Sequence, residues 1–357
     1  MIILGIETSC DETAAAIIET RREKINLLSN IVSSQIELHA AWGGVVPNLA
    51  AREHLKNILP VISEALRTAK KKSSELDLIC ITNGPGLIPA LLIGTTTAKT
   101  LSYLWQKPLL GIHHIEGHIY ANFLDLTRSG KKIEFPALCL VVSGGHTQLV
   151  LMQKHLEYQI IGETLDDAAG EAFDKVARIL GLSYPGGPIV SKIADEYAPE
   201  KNRFEIKLPR PMLKSNNFNF SFSGIKTAVL YATKKNQEKL ADRDFIAEMC
   251  REFQTAVCDV LIHKTINAAK KYQPKTILLA GGVSANNHLR GRLSTAISKN
   301  LADTTYSIPE LAHSLDNAAM IAVAGFYRWK NMPPENKAIL NNTWQKLETN
   351  ANLKLKK

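Results

Sequence analysis

Two distant stretches of the chain share one plan: a short apolar strand, a polar turn, and a second apolar strand. That duplication limits the fold more than any other feature. Residues 2–6 run into the polar turn 7–13 and resume as apolar residues 14–18. Residues 137–142 run into Ser143-Gly144-Gly145-His146-Thr147 and resume at 148–152. A third version, residues 276–280 followed by Gly281-Gly282-Val283-Ser284, leads into a helix from Asn286. Such junctions leave backbone N–H groups pointing outward, where they can hold a phosphate or another anion. A tight hairpin needs glycine for steric reasons alone, so one such turn says little. Three, at matching ends of two similar halves, point to a duplicated ligand-binding architecture.

The remaining pattern fills in two lobes. Residues 50–70 carry a helical period, with Leu55, Ile58, Leu59, Ile62 and Leu66 on one face. Residues 76–82 and 108–112 read as strands, and 90–105 as a helix. A chain of 357 residues is long for one core. The expected division is a first lobe at 1–132, a second at 133–330 with an irregular insertion near 195–223, and a polar tail at 331–357. Within the insertion, Phe218, Phe220 and Phe222 alternate with polar residues, the pattern of a half-buried edge strand. Duplicated hairpin-and-helix lobes around a ligand cleft are the α/β architecture of actin, hexokinase and Hsp70, which does not by itself name a chemistry.

Composition excludes several classes. Apolar residues make up 45% and charged residues 22%, the balance of an ordinary globular protein. No apolar run approaches the roughly 20 residues of a membrane span. The first residues lack a basic, apolar, small-residue leader, so a cytoplasmic protein is expected. Five scattered cysteines without CxxC spacing fit reduced, mostly buried thiols rather than disulfides or a zinc ribbon. A net charge of +9 makes nucleic acid a candidate partner.

The sharpest local signal is His114-Ile115-Glu116-Gly117-His118. On a helix, His114 and His118 lie about 40° apart and can share one metal ion. In the zinc-protease helix H-E-x-x-H the glutamate follows the first histidine and serves a metal-bound water. Glu116 stands two residues on, about 200° round the helix and facing away, so a peptidase site is excluded on geometry. Asp316, in Ser314-Leu315-Asp316-Asn317, is the candidate third ligand, with helix capping as its local alternative. Two imidazoles and a carboxylate suit iron or zinc and leave positions open for a substrate.

Residues 166–175 (DDAAGEAFDK) read as a helix start whose Asp167, Glu171 and Asp174 share a face. Tyr184-Pro185-Gly186-Gly187-Pro188 follows, a turn whose backbone can approach a ligand. An acid beside a Gly-rich turn is a familiar arrangement for ribose and phosphate.

Taken in order, these segments closely resemble the tRNA threonylcarbamoyladenosine-synthesis family, whose older name is O-sialoglycoprotein endopeptidase. The matching segments are GIETSCDET at 5–13, GGVVP at 43–47, GPGL at 84–87, HHIEGH at 113–118 and VSGGHTQL at 142–149. They continue with DDAAGEAFDK at 166–175, YPGGP at 184–188, FSFSGIK at 220–226, AGGVSAN at 280–286 and DNAA at 316–319.

The resemblance implies a duplicated two-lobe actin-like ATPase (ribonuclease H-like) fold with ligand and metal in the cleft between the lobes. It implies transfer of threonylcarbamoyl from threonylcarbamoyl-adenylate to tRNA, with release of AMP. The acceptor is the exocyclic amine of the adenosine just 3′ of the anticodon, in tRNAs that read codons beginning with adenine. Carried over, the metal ligands are His114, His118 and Asp316, for iron(II) or, as the alternative, zinc(II). The adenylate would rest on Val142, Ser143, Gly144, Gly145, His146, Asp174, Gly187 and Asn286. Asp11 and Glu12 match a family segment near the metal and are the candidate catalytic carboxylates. The implied partners are a shorter actin-like paralogue and a small ATPase, with no membrane. The chain departs from the family pattern at Asn48, at Ile88-Pro89-Ala90 and at Ser191, where many members carry aspartate; no metal ligand is lost.

Overall fold

Ten strands form two five-stranded sheets of matching order in a computed structural model that describes residues 1–22, 24–124, 132–197, 203–340 and 343–355. The first sheet contains β1 (Ile2–Glu7), β2 (Glu12–Arg21), β3 (Lys24–Ser34), β4 (Leu78–Gly84) and β5 (Leu109–His113), in the order β3-β2-β1-β4-β5. The second contains β6 (Ala137–Val142), β7 (Thr147–Met152), β8 (Tyr158–Glu163), β9 (Thr276–Ala280) and β10 (Thr305–Ser307), in the order β8-β7-β6-β9-β10. In each, three antiparallel strands form a meander and two further strands run parallel to the first. The repeated hairpins of the sequence are therefore β1–β2 and β6–β7. The third strand of each meander, β3 and β8, lacked a sequence signal of comparable strength.

The chain divides into two units. One comprises Met1–Ile133, His155–Glu157 and Pro309–Lys357; the other comprises Glu134–Lys154 and Tyr158–Ile308. The sequence-based boundary carried the second lobe to 330, but residues 309–357 belong to the first unit. The helix Ala318–Asn331 packs on β1, β2 and the helix His114–Leu124. Two glycines permit that approach: a Cβ at Gly5 would meet Ala318 O at 2.3 Å, and one at Gly117 would meet Ile321 Cδ1 at 2.7 Å. The polar C-terminal segment carries the short helices Pro334–Ile339 and Thr343–Lys346 and docks on the first unit. Asn350 N donates to Asn83 O at 2.9 Å, Gly86 N donates to Ala351 O at 3.2 Å, and the His113 ring donates to Leu353 O at 3.0 Å.

Two further expectations are corrected. The helix Pro47–Ala69 buries Ala50, His54, Ile58, Val61, Ile62 and Ala65, whereas Leu55 and Leu59 are exposed. Apolar periodicity identified the helix but drew its buried face too wide. The Phe218–Phe222 stretch is no edge strand: one bridge joins Thr164 to Phe220, Phe220 and Phe222 are buried in the core, and a helix begins at Ser223. All five cysteines are free, four of them buried. Among the described residues no helix is long and apolar enough to cross a membrane.

Candidate active site

In the first unit, β5 ends at His113 and the helix His114–Leu124 begins at once, so His114 and His118 are successive-turn neighbours. Their rings meet edge to face with centroids 4.6 Å apart. Asp316 precedes Asn317, and Asn317 rather than Asp316 caps the next helix, its side chain accepting from Met320 N at 3.1 Å. Asp316 is thereby released to face the histidines. Its Oδ1 lies 3.1 Å from His118 Nε2 and 3.7 Å from His114 Nε2.

Ligand atoms of these three residues all lie within 4.8 Å of one another. Neither ring nitrogen of His118 has a hydrogen bond among the described residues, although the ring is buried; the short Nε2–Asp316 approach lacks hydrogen-bond geometry. Buried polar atoms are ordinarily satisfied, so an orphaned imidazole beside a carboxylate is the condition a cation would resolve. The donor set fits a divalent metal. Glu116, as its position round the helix requires, is turned away and paired with Arg328.

Behind His114 lies Glu7, at the end of β1 and fully buried. Glu7 Oε2 and Ser9 Oγ each lie 3.1 Å from His114 Nδ1. Thr82 Oγ1 donates to Glu7 Oε2, and Ser9 N to Glu7 Oε1, each at 2.6 Å. Burial alone would raise the Glu7 carboxyl, but the His114 charge and hydrogen bond outweigh it and hold the carboxyl below its usual range. Burial would likewise lower His114; the charges of Asp316 and Glu7 instead push it up to about 9.

Asp11 and Glu12 occupy the turn into β2. Burial, then the charges of Asp316 and Asp11, push Glu12 up to about 10, which marks it as part of the same acidic surround. Ser34 Oγ donates to Glu12 Oε1 at 3.1 Å. The turn is braced from beneath by the buried His54, whose Nε2–H donates to Cys10 O at 3.0 Å and whose Nδ1 lies 2.8 Å from Thr13 Oγ1.

In the second unit, the predicted nucleotide residues fall on a closed ring of contacts. A Cβ on Gly281 would meet Val142 O at 2.5 Å. Ser143 O accepts from Gly170 N at 3.2 Å, at the start of the helix Ala169–Ile179 that bears Asp174. Asp174 Oδ1 accepts from Gly186 N at 2.8 Å, at the start of the helix Gly186–Glu196. From that helix Ser191 Oγ accepts from Asn286 Nδ2 at 2.8 Å. His146 N donates to Ser143 Oγ at 3.1 Å and closes the turn that bears Gly144 and Gly145. Added Cβ atoms on Gly144 and Gly145 would meet nothing within 4 Å, and one on Gly187 would reach only Phe173 at 4.0 Å. The ring is thus open at its three glycines. The helix was expected to include Asp166 and Asp167; it begins at Ala169, and these two acids anchor the loop instead. Asp167 pairs with Lys175 and Lys226.

The sequence profile described as TsaD, tRNA N6-adenosine threonylcarbamoyltransferase, matches residues 26–323. A curated tRNA N6-adenosine threonylcarbamoyltransferase of Bacillus subtilis (strain 168) is 53% identical over 329 residues, 91% of this chain and 90% of that protein. The chain belongs to the tRNA N6-adenosine threonylcarbamoyltransferase family. The family member of Persephonella marina (strain DSM 14350 / EX-H1) is 48% identical over 92% of this chain and 91% of its own. As a member, the chain is a transferase that places threonylcarbamoyl on a tRNA adenosine. A crystal structure of T. kodakarensis HypF shares the fold with a TM-score of 0.57 and 11% identity, covering 92% of this chain and 48% of that one. With the duplicated sheets, that likeness gives the family member an actin-like, ribonuclease H-like α/β fold.

The sequence did not single out Glu7, Ser9 and Thr82 as the support of His114. Glu7 and Thr82 come together because β1 and β4 are parallel neighbours with Ile6 opposite Ile81. A long-range register leaves no local trace.

Proposed function

We propose that the donor is threonylcarbamoyl-adenylate and that the acceptor is the exocyclic amine of the adenosine just 3′ of the anticodon, in tRNAs reading codons that begin with adenine. The convergence of His114, His118 and Asp316 supports this reading, because two imidazoles and a carboxylate suit a transition metal rather than the oxygen-ligated magnesium of a phosphotransferase of the same fold. These residues would hold one divalent ion, iron(II) by preference and zinc(II) as the alternative. When bound, the ion supplies Lewis-acid polarisation of a carbonyl or carboxylate oxygen of the threonylcarbamoyl group.

The ring of the second unit is assigned to the adenylate. Gly144 and Gly145 in the turn between β6 and β7, and Gly187 in the first turn of its helix, where N–H groups have no intrahelical partners, offer backbone donors to its phosphate, while Ser143 N and His146 N are spent closing the turn. Asp174 and Asn286 border the same ring. In the transfer the amine nitrogen forms a bond to the carbamoyl carbon, the bond from that carbon to the phosphate oxygen breaks, and AMP leaves. The amine surrenders its proton to solvent, and Asp11 and Glu12 are the candidate catalytic carboxylates. The anticodon loop presents its base unpaired, so no duplex need be opened, and a net charge of +9 favours a polyanionic acceptor.

The reading includes a cytoplasmic setting and two partners, a shorter actin-like paralogue and a small ATPase. Leu55 and Leu59 on one helix, and Ile88, Leu92 and Leu104 on the helix packed beside it, are exposed, as a docking face would require.

The test is transfer of labelled threonylcarbamoyl from its adenylate to tRNA, with partners supplied. Wild type should label tRNA, while His114→Ala and Asp316→Asn should not. A folded, metal-loaded wild type that transfers nothing would overturn the reading.

A further inference from the structure

The two histidines of the metal centre are held in opposite ways. His118 has no hydrogen bond on either nitrogen among the described residues. His114 is gripped at Nδ1 by a carboxylate that is itself gripped. Glu7 accepts from Thr82 Oγ1 and from Ser9 N, both at 2.6 Å, and these two bonds fix the plane of its carboxylate. The lone pair left on Oε2 faces His114 Nδ1 at 3.1 Å. A carboxylate can only accept, so the proton of a neutral His114 must lie on Nδ1. Nε2, which faces Asp316, is then the nitrogen with the lone pair.

We infer that Glu7 is the positioning residue of the metal centre, setting the ring orientation of His114 and the tautomer it adopts when it gives up its Nε2 proton to an ion. The inference rests on the metal reading proposed above. His118, which no hydrogen bond among the described residues orients, then supplies the second imidazole. Outer carboxylates on metal-ligating histidines raise ligand basicity, and losing one typically costs 10- to 100-fold in metal affinity. Thr82 acts one step further out, through Glu7, and its loss should cost less. Ser9 contacts the same nitrogen and the same carboxylate, so it cannot separate the two effects.

The test is calorimetric titration of the full, metal-free chain with zinc(II) and, separately, cobalt(II), on wild type, Glu7→Gln and Thr82→Val. Glu7→Gln should bind about 10- to 100-fold more weakly, and Thr82→Val should be weakened in the same direction but less. Proton NMR supplies a readout that a merely structural role would not move: the zinc-loaded wild type should show a slowly exchanging His114 Nδ1–H, shifted upfield and faster to exchange in Glu7→Gln, whose amide oxygen is an uncharged acceptor. Wild-type affinity and an unchanged resonance in Glu7→Gln would overturn the inference while leaving the metal reading intact. Should Glu7→Gln fail to fold, Thr82→Val and the wild-type resonance decide it: no protected Nδ1–H overturns it. Uptake of neither ion by wild type sinks both readings.

Discussion

Glu116 is fully buried, and Arg328 grips it at both oxygens, with Nη2 2.9 Å from Oε2. The pair ties the helix that bears His114 and His118 to the helix that follows Asp316, and so braces the spacing of the candidate metal ligands. Removing the arginine leaves a buried carboxylate without that cation, which ordinarily costs 3–5 kcal/mol. Because Arg328 is partly exposed, Arg328→Met should lose about 3 kcal/mol in urea unfolding. The double variant Arg328→Met, Glu116→Gln should recover part of the loss. An unchanged single variant would mean the pair contributes nothing.

The same pair illustrates how far sequence reaches. Three residues of one helix fixed the outward aim of Glu116, because helical geometry is local. Its partner lies 212 residues away and could not be named. The histidine pair, the Gly turns and the repeated hairpins were legible for the same reason: each depends on a few consecutive residues. Glu7, Thr82 and the docking of residues 343–355 depend on strand register and on packing between distant segments. Asp316 lay between the two cases, since capping and metal binding look alike until Asn317 is seen to take the cap.

Asp166 clamps the loop that leads into the helix Ser223–Lys235. It accepts from Ser221 Oγ, Ser223 Oγ and Phe222 N at 2.5, 2.7 and 2.8 Å. Burial would raise its carboxyl, but these donors outweigh that and hold it below the ordinary value of 3.8. A depressed folded pKa stabilises the fold above the unfolded value and loses that contribution as pH falls through the folded one. Thermal unfolding of wild type and Asp166→Asn should therefore differ most at neutral pH and converge below about pH 4. A constant gap down to pH 3 would remove the carboxylate from the account.

The C-terminal segment should stabilise the loop that carries Gly84–Leu87. Leu347 packs against the core of the first unit, and Trp344 lies against Tyr103 with ring centroids 5.1 Å apart. Asn83 Nδ2 donates to Glu348 O at 3.0 Å, beside the bond from Gly86 N to Ala351 O. Leu347→Ala should cost about 2 kcal/mol, the low end for a partly buried leucine. In hydrogen exchange, the Gly86 amide should lose protection in step with that loss. Unaltered exchange at Gly86 would mean the segment rests on the loop without holding it.

Asn286 was expected to touch the nucleotide, yet most of its amide is committed within the protein. Oδ1 accepts from Leu289 N at 2.8 Å and caps the helix Asn287–Asn300, while Nδ2 donates at 2.8 Å to both Ser191 Oγ and Gln254 Oε1. Gln254 is buried and its own Nε2 is fixed by Asp195 at 2.9 Å, so it cannot turn to replace a lost donor without breaking that bond. One lone pair on Oδ1 remains for a ligand hydroxyl. Asn286→Ala removes the cap, worth about 1 kcal/mol, and strands the Gln254 oxygen, so a total near about 2 kcal/mol is expected. Asn286→Asp keeps the cap and the spare acceptor but sets oxygen against oxygen at Gln254. It should be destabilised comparably in urea unfolding, yet raise KM for the adenylate less than Asn286→Ala does. Equal KM values in the two variants would confine Asn286 to holding the ring together, with no direct contact to the nucleotide.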